Sequence, residues 1–297
     1  MPLHPEIARI LSTLPAPPSG SLDPAAMRAA EQAQVAPAAE RLPLHSVGDA
    51  TVGDVPVRVY LPSADPEPGV IIYLHGGAFF LGSLDTHDHV ARALASETGR
   101  RVVSVGYRLA PEHAFPAGLE DCYDVVRRVA VEGEPLALVG DSSGGTFAAA
   151  VAATAHDDGL DAITHQVLLY PSLDLDFDED RYPSLRENAV GYGLETAGLK
   201  PFNAFYLGSG ADPADPRVSP IRRADLTGLP AALVITGELD PLRDEGELYG
   251  RRLAEAGVPT TVSRYDGAGH GFVQHFGWLP EYHRVYEEIA AFLRGEA

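Results

Sequence analysis

Residues 136–155 read LALVGDSSGGTFAAAVAATA: an apolar run, a glycine-rich turn and a long alanine-rich stretch. Strand, sharp turn and helix follow one another here. Gly140, Ser142 and Gly144 satisfy G-x-S-x-G in the context that pattern requires. The spacing has a physical reason. A serine on a strained turn lifts its hydroxyl above a sheet, and small residues two before and two after it let strand and helix approach closely. A glycine-rich βα turn also serves as plain packing or as a phosphate loop, but the strand–turn–helix context favours Ser142 as a nucleophile.

The flanking sequence repeats the same alternation. Leu44–Ala50 and Val55–Leu61, separated by Gly and Asp, predict an antiparallel pair. Strand-like runs follow at Val70–Leu74, Val102–Val105, Leu136–Val139, Gln166–Leu169, Ala232–Thr236 and Thr260–Arg264. Helix-like segments lie near 87–98, 117–131, 145–156, 243–256 and 281–294. Continuous apolar strands alternating with helices predict an α/β fold, a mostly parallel sheet of about eight strands covered on both faces. Two stretches break the rhythm. Residues 1–43 are rich in Ala and Pro, with one short helix expected over Pro5–Leu14 and another opened by Asp23-Pro24 and running to about Val35. Residues 181–210 are aromatic and glycine-bearing, and read as a helical insertion above the sheet. The expected organisation is N-terminal cap helices over 1–43 and a catalytic domain over 44–297 with a cap insertion at about 181–210.

Composition narrows the function. Basic residues number 22 and acidic residues 42, a formal net charge of −20. That field repels phosphate backbones and anionic lipid surfaces, which argues against nucleic-acid and membrane partners. The single cysteine, Cys122, excludes an internal disulfide or a cysteine-rich metal site, and its apolar surroundings predict burial. MPLHPEIARI has neither a basic n-region nor an apolar h-region, and no apolar run reaches the ~18 residues of a spanning helix. The reading is a soluble, cytoplasmic protein.

A nucleophilic serine needs a base and oxyanion donors. His75-Gly76-Gly77-Ala78-Phe79-Phe80 follows the strand VIIYL, and its successive backbone N–H groups can point at a developing oxyanion; glycines that merely let strands cross would look the same. Among the eleven histidines, His270 in GAGHGF lies between the last strand and the last helix, with flanking glycines that let an imidazole tip toward a serine. Asp240, at the end of the strand ALVIT, can orient that imidazole, although Asp before Pro is also a common helix cap and Glu238, Asp244 and Glu245 stand nearby. The chain order Ser142, Asp240, His270 matches that of α/β-hydrolases and neither protease order.

Together these residues resemble the hormone-sensitive-lipase-like (fold-3) branch of α/β-hydrolase carboxylesterases. The resemblance rests on YLHGGAFFLG, YRLAPEHAFPA from Tyr107, GDSSGG, and DPLRDEG followed by HGF, with weaker echoes in LLYPSLD from Leu168 and SPI from Ser219. It runs from about residue 44 to the C-terminus. It implies an α/β-hydrolase fold with a helical cap, a Ser142–His270–Asp240 triad, and an oxyanion hole from the N–H groups of Gly77, Ala78 and Ser143. The implied activity is cofactor-free, metal-free hydrolysis of short- to medium-chain carboxylic esters through an acyl-enzyme. An amidase or peptidase would share the machinery, and a non-catalytic small-molecule receptor would share the fold. Ala78 stands where the family usually has a third glycine; its N–H survives, at a cost of about 1 kcal/mol if the site demands positive φ.

The remaining signals have simpler readings. Tyr107–Glu112 predicts a brace beneath the active site. Asp85-Thr86-His87-Asp88-His89 could ligate a metal, but Thr86 as a helix cap explains it more simply. The acidic run Asp174, Asp176, Asp178, Glu179, Asp180 reads as a solvated loop rather than a cation site. Tyr192, Phe202, Phe205 and Tyr206 either line a pocket or hold the cap down. Pocket shape and oligomeric state, a homodimer among the options, are not legible at this level.

Overall fold

The computed structural model describes residues 2–13 and 22–296. Eight strands form one sheet: β1 Ser46–Val52, β2 Val55–Leu61, β3 Glu67–Leu74, β4 Arg100–Val105, β5 Leu136–Asp141, β6 Ile163–Leu169, β7 Ala231–Gly237 and β8 Thr260–Tyr265. Their order is β1-β2-β4-β3-β5-β6-β7-β8. β1–β2 and β2–β4 pair antiparallel, and every later pair is parallel. Each apolar run expected as a strand is one. β1 sits two residues later than its apolar run, because the tight Gly53-Asp54 turn sets Val52 opposite Val55.

The helices are α1 Pro5–Leu11, α2 Pro24–Gln32, α3 Asp88–Thr98, α4 Ala117–Ala130, α5 Ser143–Asp157, α6 Ser184–Glu187, α7 Thr196–Asn203, α8 Arg243–Glu255, α9 Phe272–Phe276 and α10 Pro280–Leu293. The central strands are buried on both faces, as their continuous apolar runs require. On one face Val70, Ile72, Leu74 and Leu138 pack with Val125 of α4, Phe147 of α5 and Tyr249 of α8. On the other, Ile71, Tyr73, Val139 and Leu233 pack with Leu94 of α3 and Val285 and Ile289 of α10. Alternate side chains of one strand thus feed two separate cores. Cys122 is fully buried in the first.

Sequence and structure differ mainly at element ends. α1 closes at Leu11, and Leu14, the expected end, lies outside the described residues. α2 is capped by Asp23, whose carboxylate accepts the Ala25 and Ala26 N–H groups, but it closes at Gln32. α3 begins only at Asp88, with His87 as its N-cap. Thr86 does not cap it; its hydroxyl accepts the Ser83 N–H within the preceding turn. Residues 181–210, read as a helical insertion, contribute α6, α7 and a 3₁₀ turn over Tyr206–Ser209. Among the described residues no helix is long and apolar enough to cross a membrane.

Candidate active site

The site lies at the C-terminal ends of the parallel strands, where loops from β3, β5, β7 and β8 converge. The turn after β5 is as tight as its glycines suggest. A Cβ on Gly140 would lie 2.1 Å from Gly144 O, and one on Gly144 would lie 2.0 Å from Leu74 O. Only glycine permits helix α5 to start this close to β3. Ser142, between them, adopts φ 53° and ψ −120°, a strained conformation that turns its hydroxyl out of the strand.

His270, in the loop after β8, and Asp240, in the loop after β7, come to this serine from far along the chain. His270 Nε2 lies 2.9 Å from Ser142 Oγ, and His270 Nδ1 lies 2.8 Å from Asp240 Oδ2. Asp240 is fully buried. Its other oxygen, Oδ1, accepts the Leu242 N–H at 2.8 Å, so one carboxylate shapes the turn before α8 and faces the imidazole. The insertion holds this loop in place: Asn188 Nδ2 donates to Asp240 O at 3.0 Å, and Ser184 Oγ donates to Pro241 O at 2.7 Å. The competing carboxylates are engaged elsewhere. Glu238 accepts the Gly267 N–H, Asp244 accepts the Ser184 N–H and pairs with Arg243, and Glu245 accepts the Leu173 N–H.

The loop after β3 passes beside Ser142. Ala78 and Phe79 take φ of 49° and 66°, so the site does impose positive φ at Ala78 and stores strain at two adjacent non-glycine residues. The N–H groups of Gly77, Ala78 and Ser143 have no acceptor among the described residues, whereas the Phe79 N–H is taken by Ser143 Oγ at 3.3 Å. His75, at the loop's base, is buried and stacks on Tyr107 at 4.2 Å. Tyr107 OH donates to His75 O at 2.7 Å. Burial, reinforced by the neighbouring His87, pushes the His75 imidazole down to about 3, so it is neutral at neutral pH.

The N-terminal helix α2 clamps the same loop. Arg28 donates from Nε to Phe80 O at 2.7 Å and from Nη2 to Ala110 O at 2.5 Å, and it pairs with Glu112 at 2.8 Å. One turn later, Glu31 accepts the Gly82 N–H at 2.9 Å. The expected brace at Tyr107–Glu112 therefore acts through Tyr107, Ala110 and Glu112, while Arg108 pairs with Asp121. Arg28→Ala removes donors from two carbonyls and a salt bridge, and should cost about 1–3 kcal/mol of stability. A fall in the urea midpoint measures it; an unchanged midpoint would mean the clamp carries no load.

Ser142 and His270 open onto a cavity of about 180 Å³. Ala78, Phe80 and Leu81 wall it from the β3 loop, Leu199, Phe202 and Asn203 from α7, and Glu31 from α2. Of the four aromatics left open by the sequence, Phe202 faces the cavity, Phe205 packs on Phe80 at 4.9 Å, and Tyr206 is buried against Phe79 at 3.9 Å. Tyr192 stands beside the His270 loop, its carbonyl close above Gly269. Sequence reasoning missed Glu31, Gln274 and His275 as wall residues; the only available signal was the i,i+3 placement of Arg28 and Glu31 on α2.

In the other candidate ligand groups the aspartates pair with arginines. Arg58 pairs with Asp85 at 2.8 Å and Asp88 at 3.4 Å. Asp174 of the acidic run is buried and takes Arg181 at 2.6 Å and Arg222 at 3.0 Å.

A family model described as an alpha/beta hydrolase fold matches residues 71–274, more than half of the chain. Esterase LipI of Mycobacterium tuberculosis is 40 % identical over 244 residues, covering 78 % of this chain and 75 % of that protein. Carboxylesterase NlhH of the same organism is 41 % identical over 252 residues, 79 % of this chain and 77 % of that protein. A hyperthermophilic esterase from the archaeon Pyrobaculum calidifontis superposes with a TM-score of 0.91 at 40 % identity, over 99 % of both chains. With the fold, the sheet order and these relatives in agreement, the chain belongs to the hormone-sensitive-lipase-like family of α/β-hydrolase carboxylesterases and is a carboxylic ester hydrolase.

Proposed function

We propose that Ser142, His270 and Asp240 form the catalytic triad, that the N–H groups of Gly77, Ala78 and Ser143 form the oxyanion hole, and that the substrates are short- to medium-chain carboxylic esters. The observation that carries this reading is the continuous hydrogen-bonded chain from Ser142 Oγ through His270 to Asp240 Oδ2, at 2.9 and 2.8 Å.

With Asp240 accepting from Nδ1–H, Nε2 holds a lone pair toward Ser142. His270 takes the hydroxyl proton as Oγ attacks the ester carbonyl, and Asp240 stabilises the imidazolium. The carbonyl oxygen becomes an oxyanion within reach of the three unclaimed N–H groups, each such donor being worth roughly 3–4 kcal/mol. The imidazolium then protonates the departing alkoxide, leaving an acyl-serine. Water, deprotonated by His270, attacks the acyl carbon, and the acid leaves as Ser142 recovers its proton.

The cavity supports small substrates. At about 180 Å³ it falls below the roughly 300–1,000 Å³ usual for ligand pockets. We assign its ceiling to a cap made of the N-terminal helices and the 181–210 segment, which supply Glu31, Leu194, Leu199 and Phe202 to the wall. A panel of p-nitrophenyl esters tests this: kcat/KM should peak between about two and eight acyl carbons and fall at least tenfold for the longest chains. Efficient hydrolysis of an olive-oil emulsion, with a jump in rate at the interface, would contradict it.

A further inference from the structure

The cavity over Ser142 has an unbalanced charge. Two carboxylates, Glu31 and Asp141, line it, and no lysine or arginine does so among the described residues. Asp141 is fully buried: its Oδ1 accepts Tyr73 OH at 2.7 Å and the Gly76 N–H at 3.0 Å, and its Oδ2 lies 3.8 Å from His87 Nε2. Glu31 is different. It is half-buried, one oxygen accepts the Gly82 N–H, and the other has no donor among the described residues.

No neighbouring cation neutralises it. Arg28, one turn earlier on α2, is committed to Glu112 at 2.8 Å. Beyond the wall formed by Glu31, Gln274 and His275 lies a second groove holding Arg41, Asp85, Asp88 and His89. There Arg41 pairs with Asp88 at 3.5 Å, Arg58 bridges Asp85 and Asp88, and His89 Nε2 lies 2.7 Å from Gln274 O. On the cavity side stand His270 and His275; burial, with the nearby His270 and His89, pushes the His275 imidazole down to about 4, so it is uncharged at neutral pH. Phe80 and Phe202 add aromatic rings to the wall. A carboxylate beside aromatic rings in a small apolar cavity is the arrangement that receives an ammonium group.

We propose that Glu31 is a specificity-determining residue that makes this site favour esters carrying an ammonium group over neutral esters of the same shape. The inference rests on Ser142 being the nucleophile at the floor of this cavity. Burial raises the Glu31 carboxyl above the usual carboxylate range, against the pull of the Gly82 N–H, and the Asp141 charge adds to the rise. A bound cation relieves that penalty, so the charged form is favoured with an ammonium ester in place. Because the carboxyl is raised, the preference is present at mildly alkaline pH and fades as pH falls, earlier than it would for a surface glutamate.

The test compares acetylcholine with 3,3-dimethylbutyl acetate, which differ only in a cationic nitrogen replaced by carbon. The readout is the ratio of their kcat/KM values, in the wild type and in Glu31→Gln. Glutamine keeps an acceptor for the Gly82 N–H, and the ratio cancels any loss common to both esters. The ratio should fall about five- to tenfold in Glu31→Gln at mildly alkaline pH, and in the wild type it should fall as pH is lowered. A ratio equal in the two proteins and flat with pH overturns the inference and leaves the nucleophile reading intact. Undiminished hydrolysis of both esters by Ser142→Ala overturns both.

Discussion

Ser142→Ala and His270→Ala are each expected to lower kcat for a p-nitrophenyl ester by roughly four to six orders of magnitude, with unchanged thermal unfolding. The size of the effect follows from the geometry. In the proposed triad Ser142 Oγ has the imidazole at 2.9 Å to accept its proton, and without either partner no activated nucleophile remains. The two losses should not multiply in the double variant, because each single change already abolishes the shared step. Residual activity near that of the wild type in a folded Ser142→Ala protein would remove the basis of the mechanism.

Asp240→Asn should lower kcat by about 10⁴-fold. An amide there presents N–H groups toward His270 Nδ1 and forces the proton onto Nε2, where it blocks acceptance from Ser142. The amide oxygen can still accept the Leu242 N–H, so the turn before α8 should survive. Asp244→Asn is the control. Its carboxylate pairs with Arg243 and Ser184, not with the imidazole, and its loss should change kcat by no more than about threefold. Equal sensitivity at both positions, with both proteins folded, would transfer the role of Asp240 to the loop as a whole.

Much of this architecture was legible because parallel strands buried on both faces leave an unambiguous trace. Runs such as Val70–Leu74 and Leu136–Val139 have no polar alternation to mislead, and all eight expected strands are present. The turn around Ser142 was equally readable, since a Cβ at Gly140 or Gly144 would fall only 2.1 or 2.0 Å from a backbone oxygen. Local sequence said less about contacts across long separations. Arg28 meets Phe80 and Ala110 from 52 and 82 residues away, and nothing in α2 alone specifies that partner loop. The same limit hid Glu31 from the list of wall residues. Positive φ at Phe79 was also illegible: an aromatic residue there gives no hint of left-handed backbone, and stacking on Tyr206 at 3.9 Å helps hold it in place. In the 181–210 segment the short helices end where loop contacts, not helical periodicity, decide, as with Ser184 and Asn188 reaching the Asp240 loop.

The proposed mechanism stands on Ser142 as the nucleophile, activated by His270. Reaction with a fluorophosphonate probe, followed by peptide mass spectrometry, measures this directly. Stoichiometric phosphonylation of Ser142 is expected in parallel with loss of ester hydrolysis, with labelling slowed by several orders of magnitude in His270→Ala. Full inactivation with the probe on another residue, or equal labelling of Ser142→Ala, would contradict it.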